Sequence, residues 1–88
     1  MQVFFSGTVQ GVGFRFTVDR LARQFEIGGY VRNLPDGKVE LISEGEEAEL
    51  QEFLKAVRES QMEPCIFNAE VLWKEPENQY QSFTIRTS

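Results

Sequence analysis

Val3-Phe4-Phe5-Ser6-Gly7-Thr8-Val9-Gln10-Gly11-Val12-Gly13-Phe14-Arg15-Phe16 is the stretch on which the fold turns. Val3, Phe5, Gly7 and Val9 alternate with Phe4, Ser6 and Thr8, the period of a strand with one strongly apolar face. The alternation breaks at Gln10-Gly11-Val12-Gly13. From Phe14 the period changes: Phe14, Val18, Leu21, Ala22 and Phe25 fall at spacings of four, three, one and three, which describes a helix with one buried stripe. Gly28-Gly29 stops that helix. A strand, a glycine loop and a helix thus follow one another directly.

Downstream, Tyr30 to Asn33 is short and extended. Leu34-Pro35-Asp36-Gly37 is a strong turn signal, because Pro presets φ, Asp caps the turn and Gly supplies positive φ. Lys38 to Ile42 resumes alternation, so the two runs read as a β-hairpin. Ser43 and Glu46 have capping-box spacing and predict the start of a second helix, with Leu50, Phe53, Leu54 and Val57 as its buried stripe. Lys55 and Arg58 sit near its end, where the helix dipole favours cations. Residues 59–64 read as a loop with Pro64, Ile66 to Trp73 as a fourth strand, Glu75-Pro76-Glu77-Asn78 as a turn, and Tyr80 to Arg86 as a last strand. The expected fold is α+β: a ferredoxin-like split βαββαβ sandwich, with an antiparallel sheet, two helices on one face and a short extra C-terminal strand.

This order carries a spatial prediction. Strand three lies between strands one and two and runs opposite to both, so the first two strands end on the same edge of the sheet. The loop Gln10 to Phe14 and the residue Asn33 become neighbours. Glycines at 11 and 13 let backbone amides converge on a small anion, and the following helix N-terminus adds unpaired amides and a positive dipole end. Arg15 stands at that first turn with a planar fork suited to two phosphate oxygens. The Gly-Lys-Ser/Thr ending of a P-loop and the third glycine of a dinucleotide fingerprint are both absent.

Composition narrows the chemistry. The 88 residues bound one domain, 1–88, and 41% hydrophobic content with eight Phe suffices for one core. Net charge is −5, which argues against a nucleic-acid backbone as partner but leaves room for one small anion. There is no His and only one Cys, Cys65, expected to be a small buried hydrophobe. Zinc hydrolysis and Ser-His-Asp or Cys-His catalysis are therefore excluded from this chain's own residues. One Cys permits no internal disulfide, and no apolar run approaches a membrane span, so the cytosol is the expected compartment and no membrane the expected partner.

Gly7-Thr8-Val9-Gln10-Gly11-Val12-Gly13-Phe14-Arg15 resembles the signature of the acylphosphatase family, and Gly28-Gly29-Tyr30-Val31-Arg32-Asn33-Leu34-Pro35-Asp36-Gly37-Lys38-Val39-Glu40 resembles its second signature. The resemblance runs through helix two, including Gly45, and returns at Phe83-Thr84-Ile85-Arg86. Tyr30 stands where many members have Trp, with no functional loss expected, and Met62 to Asn68 departs from the usual sequence. The resemblance implies a metal-independent hydrolase of small acyl phosphates that needs no cofactor. In it Arg15 matches the phosphate-binding arginine, Gln10, Gly11, Val12, Gly13 and Phe14 the backbone cradle, and Asn33 the asparagine that orients the attacking water. Inorganic phosphate or sulfate is the expected competing anion, and a monomer the expected state.

Two other readings stand beside it. One is a non-catalytic ferredoxin-like module that binds an anion or other ligand at the same loop. Acylphosphatase-like domains also occur within larger maturation enzymes acting on carbamoyl phosphate. The other is an RNA-recognition domain, faintly echoed by Gly13-Phe14-Arg15-Phe16. That motif belongs on strand three, however, where Lys38-Val39-Glu40-Leu41 carries no aromatic.

Overall fold

The computed structural model describes residues 1–87. β1 (Gln2–Gly7) leads through the glycine loop to α1 (Phe14–Ala22), β2 (Gly28–Asn33) and β3 (Val39–Glu44) form the hairpin, and α2 (Glu47–Arg58) follows. A short 3₁₀ turn (Glu63–Cys65) opens β4 (Ile66–Leu72), and β5 (Phe83–Arg86) closes the fold. The sheet order is β4-β1-β3-β2-β5. The first four strands pair antiparallel. β5 joins the edge of β2 in parallel, with Gly29 opposite Phe83 and Arg32 opposite Arg86, so the five-stranded sheet is mixed.

The core follows from the two periods in the sequence. Val3 and Phe5 of β1, Val31 of β2, and Val39 and Leu41 of β3 form one buried cluster with Phe14, Val18 and Ala22 of α1 and with Leu50, Phe53 and Val57 of α2. Phe14 meets Phe5 edge-on at 5.1 Å between ring centroids, which seats the first turn of α1 on the end of β1. Phe25 lies beyond the last helical residue yet still packs on Phe53. On the opposite face Glu40 accepts from Arg32 Nε at 2.6 Å and from Gln2 Nε2 at 2.8 Å, and the Arg86 guanidinium stacks 3.8 Å from the Tyr30 ring.

Three local expectations change. Ser43 does not cap α2. It continues the inward alternation of Val39 and Leu41, is wholly buried in β3, and leaves its hydroxyl without a protein partner. The strand period outweighed the capping-box spacing, and α2 starts after Glu46 with no side-chain cap. β4 ends at Leu72 and β5 begins only at Phe83, because the segment between them is held by a side chain rather than by a strand ladder. Glu44 accepts the backbone N–H groups of Glu77 (2.6 Å), Gln79 (3.1 Å) and Tyr80 (3.4 Å). Burial by itself would raise the Glu44 carboxyl, but these amides, with that of Asn78, outweigh it and hold the group below its ordinary value of 4.5. Cys65 is half-buried, since it sits in the turn before β4 and not in the core. No helix among the described residues is long and apolar enough to cross a membrane.

Candidate active site

β1 and β2 both pair with β3, and a single residue, Val39, faces Phe5 on one side and Asn33 on the other. The two strands therefore release their chains at the same level of the sheet. From β1 the chain enters the loop, pinned at its base by Thr8 N–H donating to Cys65 O at 2.9 Å. From β2 it reaches Asn33 and the turn Leu34–Lys38. In that turn Leu34 N–H donates to Lys38 O (2.8 Å), Gly37 N–H to Leu34 O (3.2 Å), and Lys38 N–H to the Asp36 carboxylate (3.0 Å).

The loop's amides are its chemical asset. Among the described residues, none of the backbone N–H groups from Gln10 to Phe16 donates to a protein acceptor. Gly11 (φ 77°) and Gly13 (φ 83°) adopt the left-handed conformation. Interleaving such residues with ordinary ones turns successive N–H groups to one side, the geometry of an anion nest. Gly13 is also the residue before the first turn of α1, and it offers no side-chain cap. That first turn holds no acidic residue, so nothing on the helix competes with an incoming anion for its positive end.

The arginine side chains near the site differ in their partners. Arg32 is committed to Glu40 on the far face of the sheet. The Arg15 guanidinium donates from Nη1 to the carbonyl of Arg86 at 3.1 Å and has no carboxylate partner among the described residues. Arg86 lies opposite Arg32, the residue before Asn33, so this contact holds the Arg15 head at the end of β2. Asn33 itself is half-buried, and its side-chain oxygen is shielded from solvent without accepting a protein hydrogen bond. Beside it opens a hollow of about 380 Å³ lined by Arg32, Asn33, Leu34, Pro35 and Thr87.

Arg15, Asn33 and the loop Gln10 to Phe14 thus gather at one end of the sheet. Phe14 faces the core and contributes only its backbone outward. Gln10 does more than the sequence suggested: its side-chain Nε2 donates to Leu34 O and to Lys38 O, both at 2.8 Å. Arg86 was missed as a site residue, because it takes part through a carbonyl and no side-chain pattern marks that. Its place in the Phe83–Arg86 match to the family was the one available signal.

Comparison with known proteins bears on the fold and the family. The family described as Acylphosphatase matches residues 1–85. An acylphosphatase of Archaeoglobus fulgidus is 45% identical over 85 residues, covering 97% of this chain and 94% of the relative. Among solved structures, the acylphosphatase from Bacillus subtilis superposes with a TM-score of 0.88 at 33% identity, covering 97% of this chain and 94% of that one. T. kodakarensis HypF matches at a TM-score of 0.82 and 29% identity, covering 99% of this chain but 12% of the longer protein.

Proposed function

The chain belongs to the acylphosphatase family, and from that premise we propose how its residues share the work. The reaction is hydrolysis of a small acyl phosphate, R–CO–O–PO₃²⁻ plus water giving R–COO⁻ and H₂PO₄⁻. The leaving group is a carboxylate whose conjugate acid has a pKa of about 4, so it departs without protonation and no general acid is required. The phosphoryl transition state is loose, and its demands are positioning and stabilisation of charge on the equatorial oxygens. The open amides from Gln10 to Phe16 and the Arg15 guanidinium supply that stabilisation. Asn33 holds the attacking water in line with the scissile P–O bond, and a phosphoryl oxygen accepts the water's proton.

The observation that carries this reading is the shared level of the sheet at which β1 and β2 release their chains, with Val39 between Phe5 and Asn33, which sets Asn33 beside a loop of open amides. The Asn33 carboxamide offers both donor and acceptor groups by which a water can be held. Every group named comes from one chain, so a monomer is sufficient. Phosphate and sulfate compete for the same cradle. The chain is one acylphosphatase-like domain, and a single thiol with no internal disulfide suits the cytosol.

The test is hydrolysis of benzoyl phosphate by wild type and Asn33→Ala, with EDTA and no added metal. Full wild-type turnover, falling by about 10²-fold or more in the variant with phosphate inhibition retained, is the expected result. A well-folded wild type that binds phosphate without turnover would return the site to an anion-binding module.

A further inference from the structure

We infer that the Gln10 side chain is a positioning residue, coupling the phosphate loop to the Asn33 hairpin so that water and phosphoryl group meet in register. The inference rests on the water-positioning reading of Asn33. Gln10 belongs to the loop that offers its amides to the anion, yet its side chain points into the neighbouring turn. Both of its Nε2 hydrogens are used, one on Leu34 O and one on Lys38 O, each at 2.8 Å. Those two carbonyls already accept one bond apiece within the turn, from Gly37 N–H and Leu34 N–H. A carbonyl oxygen has two lone pairs, and Gln10 takes the second on each. Leu34 is the residue that follows Asn33 in the chain.

The remaining connections of the loop make this tie decisive. Among the described residues, the stretch from Val9 to Val12 has no other hydrogen bond to the rest of the protein. Thr8 anchors the base toward β4 and Gly13 O caps α1 through Thr17, but neither reaches the hairpin. Arg15 reaches β5. Gln10 is thus the hydrogen-bonded link between the segment that holds the phosphoryl group and the segment that holds the water. In-line attack tolerates little error: a misplacement near 1 Å can cost about 10²-fold in rate. Slack in this link acts on kcat, because the amides still bind the anion when the hairpin drifts.

The experiment uses Gln10→Met, of similar shape with no donor, and Gln10→Glu, with benzoyl phosphate as substrate and inorganic phosphate as competing anion. Gln10→Met is expected to lower kcat by about 10- to 100-fold, while the phosphate inhibition constant stays within about twofold. In an Asn33→Ala background the same change should alter kcat by less than about twofold, because the group it positions is gone. Gln10→Glu sharpens the test. An ionised carboxylate facing two carbonyls donates nothing, whereas the protonated form donates one O–H. Its rate should therefore climb as the pH falls toward 5, a limb the wild type lacks. This last readout stands even where Asn33→Ala leaves too little activity to measure.

A rise in the phosphate inhibition constant with kcat unchanged would overturn the inference and place Gln10 in the cradle alone. So would a full, multiplicative loss in the Asn33→Ala background, or a Gln10→Glu rate indifferent to acid. Should Asn33→Ala retain wild-type activity, the water-positioning reading itself falls, and the coupling with it.

Discussion

Two irregular segments of this molecule present runs of backbone amides, and they differ in whether the protein itself supplies an acceptor. In the crossover between β4 and β5, the N–H groups of Glu77, Gln79 and Tyr80 close on the carboxylate of Glu44, at the end of the central strand β3. In the loop between β1 and α1, the N–H groups from Gln10 to Phe16 find no acceptor in the protein among the described residues. The first arrangement is complete on folding and serves the fold. The second, on the proposed function, is completed by the phosphoryl group of the substrate. A run of unpaired amides must be taken by water or a ligand, and the loop, exposed from Gly11 to Gly13, leaves its amides open to either.

The largest effect that would break the contrast is on Arg15. Arg15→Ala should lower the rate on benzoyl phosphate by at least about 10²- to 10³-fold, as loss of a preorganised donor does. It should leave thermal stability nearly unchanged, since the lost contact is a single exposed hydrogen bond to Arg86 O. A modest fall in rate with unaltered folding would remove Arg15 from the site.

Glu44→Gln should do the reverse. It removes the internal anion from the crossover amides and should destabilise the protein by about 1–2 kcal/mol at neutral pH, read by denaturant unfolding, with kcat preserved. The sign with pH follows from the direction of the shift. The folded carboxyl sits below its ordinary 4.5, so its contribution is present above that value and lost as the pH falls through the folded one. The acid limb of the wild-type stability curve should shrink in the variant. A large loss of activity in Glu44→Gln would show that the two segments are not separable.

The smallest expected effect is on the pH profile of the wild-type rate. The chain has no His, and the groups assigned to the reaction are an arginine, an amide and backbone N–H. The rate should be nearly flat between about pH 5 and 8. A steep bell there would reveal a base that neither segment contains.

What could be read in the sequence follows the same division. The alternation of β1, the helix stripes and the Leu34–Gly37 turn are local patterns, and each marked an element of its predicted type, although α1 ends at Ala22 and Gly28-Gly29, read as its stop, open β2 instead. From their order alone, strand three had to separate strands one and two, which set Asn33 beside the glycine loop. The anchoring of the crossover on Glu44 was not legible, because a carboxylate accepting amides 33 to 36 residues downstream leaves no periodic trace. Gln10 was legible as part of the backbone cradle, but the tie made by its side chain was not, since its two acceptors are carbonyls on the Asn33 hairpin. Ser43 misled because two local signals overlapped there, and only burial of β3 decided between them.

The contact between Arg15 and Arg86 also bears on the order of events when the chain folds. Gln10 meets its carbonyl at Leu34 across 24 residues, whereas Arg15 meets its own across 71. Closing the longer span costs about 1 kcal/mol more chain entropy. It also requires β5 to dock in parallel on a β2 already paired to β3. Loop and hairpin are therefore expected to join before the guanidinium is seated. Catalysis, on this view, switches on at the end of folding, and the first detectable turnover in a refolding experiment marks the docking of the last strand.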